Sequence, residues 1–161
     1  MGNSPQEAVR RAIEGDPLSA FGGIVGLNRI VDRAVAEELA APNRFFEAIV
    51  APGFELRALE LLTTKPKWGK NVRLLETGPF DDAGPKRTQR EVRCVSGGFL
   101  VQDRDQVGDE WAEWRVAASR PPSAEEVAAL KFAQVLCKHV KSNAIVLAQG
   151  AQVVGVGAGQ M

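Results

Sequence analysis

Apolar and polar positions along this chain change period several times. FGGIVGL at 21–27 and EAIVA at 47–51 are short apolar runs, the second stopped by Pro52-Gly53, and NVRLLE at 71–76 is a third. Short apolar runs bounded by turn residues read as buried strands. Between them the spacing becomes helical. Val31 to Leu39 forms one such stretch, closed by Pro42. Phe54 to Thr63 forms another, with Leu56, Leu59 and Leu62 expected to face inward. The resulting βαβαβ alternation predicts an α/β layered domain with a parallel sheet.

Local signals extend the picture to both sides. Ser4 and Glu7 have capping-box spacing with Pro5 at the first helical position, so a helix is expected through about Glu14, ended by Gly15. Residues 77–90, with Gly78, Pro79, Gly84 and Pro85, read as a polar surface loop that does not divide domains. Arg93–Gln102 and Ala112–Ala118 read as strands around the solvated loop DRDQVGDE. Pro121-Pro122-Ser123 announces a long helix, and Ser123 with Glu126 makes a second capping box. Val127, Leu130, Ala133, Cys137 and Val140 form its inner stripe. Phe132, Leu136 and His139 add an apolar flank, so the helix is expected to be covered on more than one side. Asn143–Gln149 and Gln152–Ala158 read as strands joined by Gly150-Ala151, which suits a type II′ hairpin.

Composition narrows the class. The 161 residues are enough for one domain or one lobe. Lys plus Arg and Asp plus Glu are both 20, and a neutral chain argues against a dedicated nucleic-acid binder. No apolar run reaches the roughly 18 residues that span a bilayer, and the first thirty residues lack a secretory pattern. Cys94 and Cys137 cannot build a disulfide framework and read as reduced, packed thiols of a cytoplasmic protein. With a single histidine, a structural zinc site is not expected. The final Gly-Ala-Gly-Gln-Met reads as the end of a truncated chain.

Several segments carry candidate chemistry. The tail Val-Gly-Val-Gly-Ala-Gly lacks the following helix that a dinucleotide fingerprint needs, so its glycines read as sites of close backbone approach. His139 reads as a residue favouring a helix C-terminus, and Lys131, Lys138 and Lys141 as a solvated stripe. Asp16 to Gly23 (DPLSAFGG) sets a polar turn, a hydroxyl, a ring and two glycines ahead of a strand. It can stack on a flat heterocycle, or it can be an ordinary strand start. Asn143, at a helix-to-strand corner, suits either an amide or carbonyl contact or a helix cap. Glu47, opening a buried strand, suits either an amine contact or a solvated strand end.

Taken together, DPLSAFGGIVGLN, FEAIVAP, RCVSGGFLVQD, KSNAIV and VVGVGAGQM occur in one order from Asp16 to Met161. In this the chain resembles the AICAR transformylase domain of the bifunctional PurH family of purine biosynthesis. The resemblance implies formyl transfer from the co-substrate 10-formyltetrahydrofolate to the amine of AICAR, on the way to IMP. It implies a layered α/β/α lobe with a mixed sheet and a cytidine-deaminase-like fold without metal. Residues 1–161 would be the first lobe, with the second lobe and the IMP cyclohydrolase domain absent. It also implies a homodimer, with AICAR and folate as ligands and neither nucleic acid nor membrane as a partner.

The resemblance carries over particular residues. Asn143 would contact AICAR and the transferring group, as the one catalytic position in the chain. Phe21 and Gly22 would form the nucleotide pocket, with Glu47 as a site carboxylate whose family counterpart is Asp in some members. Leu18, Ser19 and Gly22 would lie along the folate. The family's Lys-His loop would precede residue 1, and an arginine would follow two residues after Met161. Lys138-His139 is not that loop, because Val-Lys-Ser-Asn follows it. The isolated chain is therefore expected to be inactive. The competing readings are a non-catalytic folding or dimerisation module and an unrelated nucleotide-binding domain.

Overall fold

The computed structural model describes residues 1–79, 90–105 and 111–159. In chain order the elements are α1 (Pro5–Gly15), β1 (Gly23–Gly26), α2 (Arg33–Leu39), β2 (Phe46–Ala51), α3 (Leu56–Thr64), β3 (Arg73–Glu76), β4 (Arg90–Val95), β5 (Gly98–Asp103), α4 (Ala124–Cys137), β6 (Ala144–Gln149) and β7 (Gln152–Ala158). They fall into two compact units. One comprises residues 1–79 and 120–159, the other 90–105 and 111–119. The chain is thus of the α/β class, with one parallel sheet and separate antiparallel pairs among the described residues.

In the larger unit, β1, β2 and β3 form a parallel sheet in that order. Val9 of α1, Val35, Ala36 and Leu39 of α2, and Ala58 and Leu62 of α3 form one cluster with Phe46, Ile49 and Ala51 of β2. The three helices therefore cover one face of the sheet, as βαβ crossovers of one hand require when strands add in sequence. Leu39, Ile49 and Leu62 are fully enclosed. Burial of each is worth about 1.5–3 kcal/mol. The opposite face carries Ile24 and Leu75, 72% and 48% exposed, so no second helical layer covers those two positions.

Strand β2 is not regular. Gly23 pairs with Phe46 but Ile24 pairs with Ala48, which leaves Glu47 as an extra residue. Phe46 and Ile49 are three positions apart and would face opposite sides of an uninterrupted strand. The bulge at Glu47 turns both toward the helices, and both are buried. Phe46 is further held by an edge-on contact with Trp68, ring centroids 6.0 Å apart.

The helix starts match their caps with one change. Ser4 Oγ accepts from the Glu7 N–H at 3.1 Å, but Glu7 returns its carboxylate to the Asn3 N–H at 2.7 Å, one residue earlier than in a regular capping box. At α4 the box closes fully between Ser123 and Glu126. Helix α4 packs on the antiparallel β6–β7 hairpin, whose turn has Gly150 at φ +55° as expected. The hairpin tip meets α1, where the Gln152 amide donates to the Arg11 carbonyl at 3.2 Å. A Cβ on Gly15 would stand 2.7 Å from the Val153 carbonyl, so this approach needs glycine.

Five expectations are corrected. Leu62 is buried as expected, but Leu56 is 84% exposed, because the face that α3 turns to the core runs through Ala58 and Leu62. Arg93–Gln102 is not one strand: Gly97, at φ +85°, folds the segment into the β4–β5 hairpin of the smaller unit. Trp111–Glu113 is a 3₁₀ turn and Ala112–Ala118 forms no strand, since Trp111 and Trp114 stack edge-on at the i, i+3 spacing that such a turn eclipses. No residue of α4 is fully buried, and Leu130 is half exposed; Cys94, on a two-stranded hairpin, is exposed rather than packed. The polar stretch 77–90 lies mostly outside the described residues.

Candidate functional site

Residues 16–22 link α1 to β1 as a tight turn organised by Asp16. The Ser19 N–H donates to Asp16 Oδ1 and the Ala20 N–H to the Asp16 carbonyl, both at 3.0 Å. The Ser19 N–H, and after it the Ser19 hydroxyl, hold the Asp16 carboxyl below the usual carboxylate range. The turn closes with the Phe21 N–H on the Leu18 carbonyl at 3.3 Å and the Gly23 N–H on the Ala20 carbonyl at 3.1 Å. This geometry leaves Leu18 88% exposed and the Phe21 ring 64% exposed.

Gly22 has φ +75°, a region open to glycine at little cost. Its N–H donates to the Phe45 carbonyl at 2.8 Å, and the Phe21 and Phe45 rings lie 5.4 Å apart, tilted by 58°. Phe21 and Phe45 line a cleft of about 340 Å³ together with Pro17, Pro42 and Asn43. That volume falls within the range of small-ligand sites. Ser19 instead lines a wider groove of about 840 Å³ between the start of α1 and the free edge of β1. The turn therefore stands between two concavities, with Ala20 on both.

Glu47 reaches across to β3, where Arg73 Nη1 donates to Glu47 Oε2 at 3.0 Å. Arg73 pairs with Ala48 in the ladder, so the ion pair runs diagonally from the bulge. Asn143 lies beyond the end of α4, where its carbonyl accepts from the Gly159 N–H at 2.9 Å and the Ser142–Asn143 peptide is cis. Its side chain is exposed. Phe21 and Gly22 immediately precede β1, whereas Glu47, near the start of β2, lines neither concavity and turns its carboxylate to β3, so the structure does not bring it to the pocket pair. Among the described residues, no hydrogen bond, ion pair or ring contact joins Asn143 to any of the three. His139, past the end of α4, is exposed. Among the described residues, no cluster of three or more His, Cys, Asp or Glu is placed to hold a metal, and no helix is long and apolar enough to cross a membrane.

Two contacts of the site were not read from the sequence. Phe45 sat outside the expected strand, and its only signal was an aromatic residue beside Phe46. Arg73 was one polar position in an apolar run.

The family model described as "AICARFT/IMPCHase bienzyme" matches residues 1–161. The chain belongs to this family. It is 47% identical over 160 residues to the bifunctional purine biosynthesis protein PurH of Rhodopirellula baltica, covering 99% of this chain and 30% of that protein. The Prochlorococcus marinus PurH is 48% identical over 163 residues, covering 100% of the chain and 30% of the relative. The Myxococcus xanthus PurH is 48% identical over 157 residues, covering 96% and 29%. The chain spans about 30% of the length of the curated relatives it matches.

Proposed function

We propose that this chain is part of an AICAR formyltransferase, transferring the formyl group of 10-formyltetrahydrofolate to the AICAR amine in purine biosynthesis. The observation that carries the reading is the match of the bienzyme family across residues 1–161, the whole of the segment that holds the site. The exposed Phe21 ring beside a cleft supports it, because a flat imidazole carboxamide stacks on such a face. Exposed Ile145 and Leu147 on β6 also support it, as apolar surface of the kind a further lobe covers.

In this reading the chain binds and orients. Phe21 takes the ring of AICAR and Gly22 lets backbone approach it. The Glu47 carboxylate accepts from an amine or amide N–H. The Asn143 amide contacts AICAR and the formyl group in flight, and Leu18 and Ser19 flank the folate. The AICAR amine is conjugated with its ring and carboxamide and is a weak nucleophile, so transfer needs a base for its proton and donors for the oxyanion on the formyl carbon. The family's Lys-His loop supplies these steps and lies outside this chain. The chain alone is therefore inactive, and the full protein is a cytoplasmic homodimer with a cytidine-deaminase-like lobe that uses no metal.

The test is calorimetric titration of the purified chain with AICAR, followed by a formyl-transfer assay with 10-formyltetrahydrofolate. Saturable binding without appreciable turnover is expected. Appreciable turnover refutes the inactive lobe. A folded chain that does not bind AICAR overturns the substrate assignment and favours a non-catalytic module.

A further inference from the structure

Phe45 touches the predicted pocket pair in two ways. Its ring packs on Phe21 with centroids 5.4 Å apart, and its carbonyl takes the Gly22 N–H at 2.8 Å. Its ring edge also lies 3.7 Å from where a Cβ on Gly22 would be. Phe45 is itself held from both sides. The preceding Arg44 carbonyl accepts from Trp68 Nε1 at 2.7 Å, and the Arg44 guanidinium is engaged by Glu38. The following Phe46 is buried in the core against Trp68. Asn43, two residues before, sits at φ +62° and lines the same cleft.

A rigid path thus runs from the core through Phe46 and Trp68 to Phe45, and from Phe45 to the exposed ring of Phe21. Most of Phe21 faces solvent, so the turn alone leaves its ring free to rotate. Phe45 supplies the packing partner that selects one orientation.

Resting on the functional reading above, we infer that Phe45 is a positioning residue, which fixes the Phe21 ring and the Gly22 backbone to receive a flat heterocycle. The experiment uses the whole chain with ¹³C-labelled phenylalanine rings, as wild type, Phe45→Leu and Phe45→Tyr. Three quantities are read: the Phe21 ring resonances, the Kd for AICAR and the melting temperature.

Phe45→Leu is expected to move the Phe21 resonances toward those of an unpacked ring. It should raise the AICAR Kd about tenfold, or about 1.4 kcal/mol, with little change in melting temperature. Phe45→Tyr restores both. Should the leucine variant fail to fold, Phe45→Met is judged by the same readings. Unchanged Phe21 resonances overturn the positioning role, and shifted resonances with unchanged Kd overturn its link to the ligand. Failure of the wild-type chain to bind AICAR overturns the functional reading instead, and the ring resonances still decide whether Phe45 holds Phe21.

Discussion

Arg73 donates to the Glu47 carboxylate at 3.0 Å, and Glu47 is the residue that interrupts the pairing of β1 with β2. The two side chains are 69% and 52% exposed. An ion pair in that setting orients more than it stabilises, being worth about 0.2–1 kcal/mol. Arg73→Met is therefore expected to change the unfolding free energy by less than about 1 kcal/mol, measured by urea denaturation. A larger loss would mean that the pair carries structural weight this exposure does not explain.

The bulge makes a second prediction, about deletion. Without Glu47, Phe46 would stand two positions from Ile49, the spacing of a regular strand, and still face the core. Deleting Glu47 is expected to preserve a cooperative transition at a cost of no more than about 1–2 kcal/mol, whereas Phe46→Ala should lose about 3–5. Equal losses in thermal or chemical melts would show that the extra residue is needed for the strand itself.

The cap of α4 is sensitive to acid. Arg120 pairs with both Glu126 oxygens at 2.8 and 2.9 Å, and the Ser123 N–H donates to the same carboxylate at 2.7 Å. Arg120, and after it Ser123, hold the Glu126 carboxyl down at about 2, against an ordinary 4.5. A carboxyl depressed on folding stabilises the fold above its unfolded value, and that contribution is lost as pH falls through the folded one. The start of α4 is thus expected to loosen between about pH 4.5 and 2. Carboxyl ¹³C titration checks this: Arg120→Gln should raise the Glu126 midpoint, and an unmoved midpoint would contradict the pairing.

Much of the fold was legible in local pattern. The apolar runs at 47–51 and 71–76 became β2 and β3, and Gly150-Ala151 became the predicted hairpin turn. Capping residues marked the starts of α1 and α4, because a cap depends on side chains within one turn of the backbone it satisfies. Leu56 was misassigned for the opposite reason. Its spacing fits an inward stripe, but the face that α3 buries is chosen by α2 and β2, and they chose Ala58 and Leu62. Arg93–Gln102 was misread because an apolar run with Gly97 inside it can continue or fold back.

The amino-acid sequence by itself determined the α/β alternation and the helix caps, because each is written in residues near one another along the chain, and the membership of the bienzyme family, because the order of its segments is read without folding them. Tertiary structure alone decided that Phe45 stands against Phe21 and that Glu47 leaves the ladder toward Arg73. Those relations join residues some two dozen positions apart, and only the register of β1, β2 and β3 brings them together. Register is set by which side chains reach the core, a property of the packed sheet and not of any one strand.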